Sequence, residues 1–366
     1  MSLNWVEISQ ANLAHNIKQF KNFVPDAAIW PVIKSNAYGH GLEQVAGLLE
    51  HNEHVAGLMV VNLEEALFLS QITSKPVMVL SYFDRVEEQL RLAAKQKISL
   101  PIYDLDTADY LNNLNEKFLV NIKIDTGTSR LGFRAEDSIE AIKQIQAKQN
   151  LEINSLFTHF AESESEDQIF TQEQYKIFKK ITDQFPDIKK HAVCSAACIS
   201  QLQAQGDIIR LGISLYGLWP SAAAQEKGQA QNINLKPVLS WKTKIIQIKN
   251  LSAGETVGYN RTYKCQQNCK IAILPVGYNE GYARALSNQA EVLIRGQRFP
   301  VRGNICMNLT MIELPQDTDI KTGEVVTLLG QDQSEYITAE ELAGLAKTIN
   351  YEIVTSINLN LPRIVI

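Results

Sequence analysis

Ala28-Ile29-Trp30-Pro31-Val32-Ile33-Lys34-Ser35-Asn36-Ala37-Tyr38-Gly39-His40-Gly41 is the stretch on which the reading of the fold turns. Its apolar opening, 28–32, predicts a short buried strand, with Pro31 limiting how the entry of that strand can pair. A lysine stands where the strand ends. Gly39, His40 and Gly41 then require the chain to turn and bring its backbone close to a neighbour, before the apolar-periodic residues 42–49 begin a helix. Strand, turn and helix make one βα unit, and this unit presents an amine at its end. Read alone, Lys34 is equally an ordinary solvated lysine.

The same unit recurs along the first two thirds of the chain. A short alternating strand at 5–8 and a helical stretch at 13–23 come first. Strand-like apolar runs then follow at 29–33, 55–61, 76–80, 98–102, 118–124, 153–157, 191–194 and 208–211. Between most of them lie stretches with helical spacing, at 63–70, 85–95, 107–114, 135–149 and 171–184. Eight βα units predict a closed parallel (β/α)8 barrel, because an open doubly wound sheet normally has fewer strands. No Gly-x-Gly-x-x-Gly follows the first strand, which disfavours a dinucleotide fold. After Pro220 the texture changes. Residues 221–234 have no apolar period and read as a linker or mobile loop. Short alternating runs at 239–248, 270–275, 290–294, 301–303, 309–314, 325–329 and 356–359, separated by Gly-containing turns, predict a mainly-β domain with one helix at 339–347. The expected class is therefore α/β, with a barrel over 10–235 and a mainly-β domain over 236–366. Residues 1–9 join that second domain, because the strand near Trp5 has no obvious barrel partner.

The 366 residues are enough for this architecture, and the net charge is -5. There is no basic stripe to suggest nucleic acid and no apolar run long enough to cross a bilayer. The start, Met1 to Trp5, lacks a basic region followed by an apolar one, so the cytoplasm is the expected compartment. The five cysteines are an odd number. Cys194 with Cys198, and Cys265 with Cys269, have a three-residue spacing that suits adjacent helical turns better than a zinc knuckle, so reduced thiols and no metal site are expected.

A barrel directs attention to the C-terminal ends of its strands, where the loops after strands seven and eight often hold a phosphate. Cys194-Ser195-Ala196-Ala197 supplies a hydroxyl followed by small residues. Arg210-Leu211-Gly212-Ile213 supplies an arginine at a strand end and a glycine that frees N–H groups for an anion. Each of these loops is otherwise an ordinary tight βα turn. Around a closed barrel, Lys34 on strand one neighbours strand eight. An amine opposite a phosphate cup is the arrangement that pyridoxal 5'-phosphate requires, since its aldehyde condenses with lysine while its phosphate anchors the far end.

At this point Pro31-Val32-Ile33-Lys34-Ser35-Asn36-Ala37-Tyr38-Gly39-His40-Gly41 resembles the pyridoxal-lysine signature of the alanine racemase family, a fold-type III group of pyridoxal-dependent racemases. The resemblance extends to Lys-Ile-Asp-Thr-Gly-Thr-Ser-Arg-Leu-Gly at 123–132, Thr158-His159-Phe160, Arg210-Leu211-Gly212-Ile213, Thr256-Val257-Gly258-Tyr259, Cys306-Met307 and Asn350-Tyr351-Glu352. It implies interconversion of L- and D-alanine by two bases on opposite faces of Cα. Lys34 would serve the D-enantiomer and Tyr259, from the partner subunit of a homodimer, the L-enantiomer. It further implies that Tyr38, Ser195, Gly212, Ile213 and Tyr351 hold the phosphate, and that Arg210 faces the pyridine nitrogen. Arg130 and the backbone N–H of the partner subunit's Met307 would bind the substrate carboxylate. Lys123 matches a position that is carbamylated in some members. A phenol near pKa ~10 needs a neighbouring cation to act as a base, and His159 and Arg284 are the candidates for that network. Tyr278 and Tyr282 fit either the entrance or buried packing. Without the resemblance, Tyr259 reads as an aromatic beside a turn, Arg210 as a salt bridge at a strand end and Arg130 as a solvated loop arginine. The product role implied is D-alanine for peptidoglycan.

Two positions depart from the family pattern. Asn308 replaces the usual Asp after Met307, as in related broad-spectrum racemases, and Cys194 replaces the usual Asn before Ser195. The alternatives are a broad-spectrum racemase of the same fold and a non-catalytic pyridoxal-binding barrel, which would lack the second domain. A barrel decarboxylase would want an acid where Arg210 stands.

Overall fold

The apolar runs form parallel strands, here numbered one to eight, at Ala28–Pro31, Leu58–Val60, Val77–Val79, Leu100–Ile102, Phe118–Asp125, Leu151–Phe157, Lys189–His191 and Ile208–Leu211. The computed structural model describes residues 2–200 and 206–366, and among these residues the eight strands close a ring. Parallel ladders join eight to one, two to three, four to five, five to six and six to seven. Parallel bridges complete the circuit: Ile29 to Val55 and Val32 to Met59, Met78 to Ser99, and Cys194 to Arg210. Strands two, three and four are buried throughout, as expected of barrel strands covered by helices on one side and filled by side chains on the other.

The covering helices follow the expected spacing closely: Leu63–Leu69, Glu87–Lys95, Leu105–Asn113, Ser138–Gln146 and Ile169–Thr182. Each buries one stripe, for example Leu90 and Ala93, or Phe178 and Ile181, and a fully buried leucine contributes about 1.5–3 kcal/mol. The Asn62 and Asp104 side chains cap two of them by accepting from the N–H groups of Glu65 and Thr107, worth about 1 kcal/mol each. Residues 221–234 are not a loop. Helix Ala222–Ala230 forms there, capped by Ser221, whose oxygen accepts from the Ala224 N–H. Its hidden residues are only Ala224 and Gly228, and Gly228 lies directly against the Trp219 ring, so the contact leaves no apolar stripe in the sequence.

The chain divides into two compact units. One comprises Leu13–Ser35 and Val45–Lys236, the other Met1–Asn12, Asn36–Gln44 and Pro237–Ile366. Residues 36–44, inside the expected barrel span, cluster with the second unit for a local reason. A Cβ on Gly39 would lie 1.9 Å from the Val354 carbonyl oxygen, and the Arg363 guanidinium donates to the Gly39 carbonyl at 3.0 and 3.2 Å. The opening strand, Asn4–Ile8, is antiparallel to Leu239–Lys244 and parallel to Arg363–Val365. This sheet continues through Val325–Asp332 to Glu291–Ile294 and Gln297–Pro300. A three-stranded sheet of Gln247–Leu251, Cys269–Leu274 and Thr310–Pro315 accompanies it. Helix Ala339–Ala346 lies where it is expected.

Several local expectations change. Strand seven lies at Lys189–His191, ahead of the 191–194 run. The 301–303 run forms a single bridge from Val301 to Ile312, and 356–359 follows helix Asn350–Thr355 as irregular chain. Cys194 and Cys198 do share a helical turn, the Cys198 N–H donating to the Cys194 carbonyl. Cys265 and Cys269 do not, because the first directly follows the strand Tyr263–Lys264 and the second starts the next strand. Their buried sulfurs are 3.6 Å apart, and both are free thiols. Among the described residues no helix is long and apolar enough to cross a membrane, and no group of three His, Cys, Asp or Glu side chains is placed to hold a metal.

Candidate active site

Lys34 begins a turn of unusual hand. Ser35, Asn36, Ala37 and Tyr38, none of them glycine, have φ between +52° and +54°, so Lys34–Tyr38 is a left-handed helical turn. Such a turn costs roughly 1–2 kcal/mol per non-glycine residue and is retained only where its surroundings over-determine it. Glu65 is one of those constraints: its carboxylate accepts from the Ser35 N–H at 2.6 Å and from the Val61 N–H at 3.2 Å. Asn36 is another. Its carbonyl accepts from the Gly41 N–H at 3.0 Å and its side chain from the Leu42 N–H at 2.8 Å.

Within the barrel unit, Lys34 belongs to a cluster of cations. Burial lowers its pKa first and the Arg130 charge lowers it further, with Glu65 opposing. Lys123, buried on strand five, is pulled down to about 8 by burial, Arg130, Arg210 and Lys34, opposed by Asp125. Its ammonium lies 5.7 Å from the centre of the Phe157 ring. Arg210 on strand eight is 4 % exposed. It donates to the carbonyls of His191, Thr158 and Ala192 at 2.8–2.9 Å, to His191 Nδ1 at 2.8 Å and to His159 Nδ1 at 3.2 Å. No carboxylate among the described residues pairs with it, so Arg210 is a buried cation held by dipoles alone.

Burial, then Arg210, Arg130, Lys123 and Lys34, hold His159 well below its ordinary pKa. It is therefore a neutral acceptor and not the cation expected to assist Tyr259. Arg284 is solvent-exposed in the other unit. After strand seven, Ser195 starts helix Ser195–Ile199, and after strand eight Ile213 starts a 3-10 turn, Ile213–Tyr216. The Gly212 N–H does not point to an open anion position: it donates to Ser195 Oγ at 2.9 Å. That bond ties the two loops together and leaves the serine O–H to donate.

The loop carrying Arg130 is pinned by Asp125, which sequence reasoning quoted without giving it a role. Its carboxylate accepts from the N–H groups of Gly127, Thr128, Ser129 and Arg130 at 2.9–3.2 Å. Burial raises its pKa, but these four bonds outweigh burial and the net shift is downward. An amide has one acceptor oxygen where the carboxylate has two. Asp125→Asn is therefore expected to speed amide hydrogen exchange at 127–130 by about tenfold or more; unchanged protection would show that the loop is held elsewhere. Glu65 and His191 were also missed. The only cue to either was a strand-end position for His191.

In the second unit Tyr38 and Tyr351 come together, their ring centroids 6.1 Å apart. Tyr259 follows Gly258 in a short 3-10 turn and is 72 % exposed; Met307 is 56 % and Tyr278 44 % exposed. Tyr282 belongs to the packing and not to an entrance, because it is buried edge-on against Trp241 at 5.9 Å. Asn308 lies beside a carboxylate. Its Nδ2 donates to Glu280 at 2.8 Å, so an aspartate at 308 would set two carboxylates against each other.

Residues 8–220 match the family model for the alanine racemase N-terminal domain and residues 238–365 that for the alanine racemase C-terminal domain. The alanine racemase of Halothermothrix orenii is 37% identical over 370 residues, covering 98% of this chain and 96% of its own. Among solved structures, alanine racemase of Clostridium difficile 630 has a TM-score of 0.92 at 34% identity, covering 100% of this chain and 96% of its own. A histidine racemase from Leuconostoc mesenteroides has a TM-score of 0.88 at 27% identity, covering 100% and 98%.

Proposed function

Because the chain belongs to the alanine racemase family, we propose that it interconverts L- and D-alanine, with pyridoxal 5'-phosphate bound in the barrel unit and Lys34 and a partner subunit's Tyr259 as the two bases. The observation that carries this reading is the cation cluster. Lys34 and Lys123 each feel the Arg130 charge, and Lys123 that of Arg210 as well, with Glu65 opposing at Lys34 and Asp125 at Lys123, which suits a ligand bringing a phosphate and a carboxylate. The donor set therefore fits the cofactor. When bound, pyridoxal phosphate would supply an aldehyde for the substrate amine and an electron sink that would make the Cα proton acidic.

The chain's own groups do the rest. The lowered pKa of Lys34 populates a neutral Nζ that can take a proton from Cα of D-alanine or return one to it. Tyr259 Oη handles the opposite face, and its exposure, with that of Met307 and Tyr278, leaves it available to another chain. The Ser195 O–H and Ile213 would hold the phosphate, with the Gly212 N–H spent on fixing Ser195, and the resemblance implies Tyr38 and Tyr351 as further phosphate partners. Arg210, a cation that does not readily yield its proton, would sit toward the pyridine nitrogen, where it would disfavour protonation of the ring. Arg130, on a loop fixed by Asp125, takes the substrate carboxylate with the N–H of the partner subunit's Met307. At a pKa of about 8 Lys123 has a populated neutral amine, and carbamylation there would supply negative charge beside Arg130. A homodimer in the cytoplasm supplying D-alanine for peptidoglycan completes the reading.

A broader substrate range is the second reading. It is favoured by Asn308 and by the histidine racemase that shares the fold. Purified protein is expected to be yellow, with borohydride fixing the cofactor on Lys34, and to racemise alanine ahead of serine, lysine, arginine and histidine. Comparable rates on several of these would select the broad enzyme. A colourless, inactive protein would remove the cofactor and the reaction together.

A further inference from the structure

Arg210 is the first member of a polar chain that crosses five neighbouring barrel strands. His191 Nδ1 accepts from its guanidinium at 2.8 Å, and His191 Nε2 lies 3.0 Å from Ser155 Oγ. The Ser155 hydroxyl donates to Asn121 Oδ1 at 2.8 Å, and Asn121 Nδ2 donates to Ser99 Oγ at 2.6 Å. The register sets Asn121 directly opposite Ser155. His191, Ser155 and Asn121 have no exposed surface, and Ser99 is 4 % exposed. The His191 ring is also stacked on Phe157, 5.0 Å away and 6° from parallel.

The direction of this chain follows from donor chemistry. A guanidinium has donors only, so His191 Nδ1 must be bare. Burial and the Arg210 charge hold the ring neutral, which puts its single proton on Nε2. That proton goes to Ser155 Oγ, and the serine's own proton goes to Asn121 Oδ1, which also accepts from Asn154 Nδ2 at 3.1 Å. Every bond donates away from Arg210, and bonds aligned head to tail strengthen one another in a dry interior.

We propose that Ser155 and Asn121 are positioning residues for Arg210, holding His191 as the Nε2–H tautomer whose Nδ1 grips the guanidinium. The tautomer stands on protein geometry alone; the kinetic consequence rests on the function proposed above. Without Ser155 Oγ, the buried Nε2–H has no acceptor and the imidazole is free to reorient, loosening one of the five contacts that aim Arg210. Asn121 acts one link further away, by orienting the serine hydroxyl.

The test uses full-length protein as isolated, carrying ring-15N histidine, read by magic-angle-spinning NMR with His191 assigned from a His191→Asn variant. The expected spectrum shows a protonated Nε2 and a bare Nδ1 from pH 6 to 9. Ser155→Ala and Asn121→Leu should both move the His191 Nε2 resonance, although Asn121 does not touch that ring. Both should lower kcat for alanine by about tenfold with little change in KM, and Ser155→Thr should recover most of it. A His191 proton on Nδ1, or a His191 resonance that ignores Asn121→Leu, overturns the relay. Loss of kcat in the serine variant that threonine does not recover also counts against it. Wild-type protein without racemase activity would defeat the proposed function, while the NMR readout still decides the relay.

Discussion

Lys34→Ala is expected to lower alanine racemisation by about 10³-fold or more, since it removes both the cofactor's attachment point and one of the two bases. Tyr259→Phe removes the other base and is expected to be similarly damaging toward L-alanine. The informative result comes from mixing the two inactive proteins. If each site takes its lysine from one chain and its tyrosine from the other, a mixed dimer has one site with both lesions and one site with none. Random reassortment of equal amounts makes half the dimers mixed, so about a quarter of wild-type activity should return. Heterodimers demonstrated by affinity tags yet inactive would place both bases on one chain, and the exposure of Tyr259 would need another explanation. Residual activity in Lys34→Ala alone, within tenfold of wild type, would remove Lys34 from the chemistry.

Gly39→Ala is expected to be the most damaging single methyl addition to stability. The new Cβ would sit 1.9 Å from the Val354 oxygen and 2.8 Å from its carbonyl carbon, at φ +83°. The backbone conformation alone costs alanine about 1–2 kcal/mol, and overpacking against a carbonyl that cannot rotate aside adds about 1–3 kcal/mol. Together these approach the upper end of point-substitution effects in a protein whose whole margin is about 5–15 kcal/mol. Urea denaturation should show a large fall in midpoint, with loss of the Arg363 contact to the Gly39 carbonyl. A midpoint unchanged within error would mean that this backbone approach is absent in solution.

Much of the architecture was legible before any coordinates, for a simple reason. Barrel strands covered on both sides are continuous apolar runs such as Val77–Val79, and amphipathic helices such as Glu87–Lys95 repeat their buried residues at helical spacing. Helix Ala222–Ala230 was not legible, because its contact uses an alanine and a glycine, which carry no apolar signal. The pairing of Cys265 with Cys269 was misread because a three-residue spacing fits a helix turn as well as a short connection between two strands. The contact of Asn308 with Glu280 was not legible either, since the two are distant in sequence.

The amino-acid order by itself determined that a lysine follows the first barrel strand, that a serine follows the seventh and an arginine lies near the end of the eighth, and that glycines follow where backbone must turn. Those are local facts, set by strand length, by steric freedom at Gly39 and by the chemistry of each side chain. Only the tertiary structure decided the hand of the turn after Lys34, since propensity argues against four non-glycine residues at positive φ and only surrounding bonds such as those from Glu65 hold them there. It alone decided that His159 is neutral, that the Gly212 N–H is taken by Ser195, and that buried Arg210 pairs with no acid among the described residues. Each of those depends on burial and on partners drawn from several strands far apart in the chain, and pairwise electrostatics of that kind has no signature in sequence spacing.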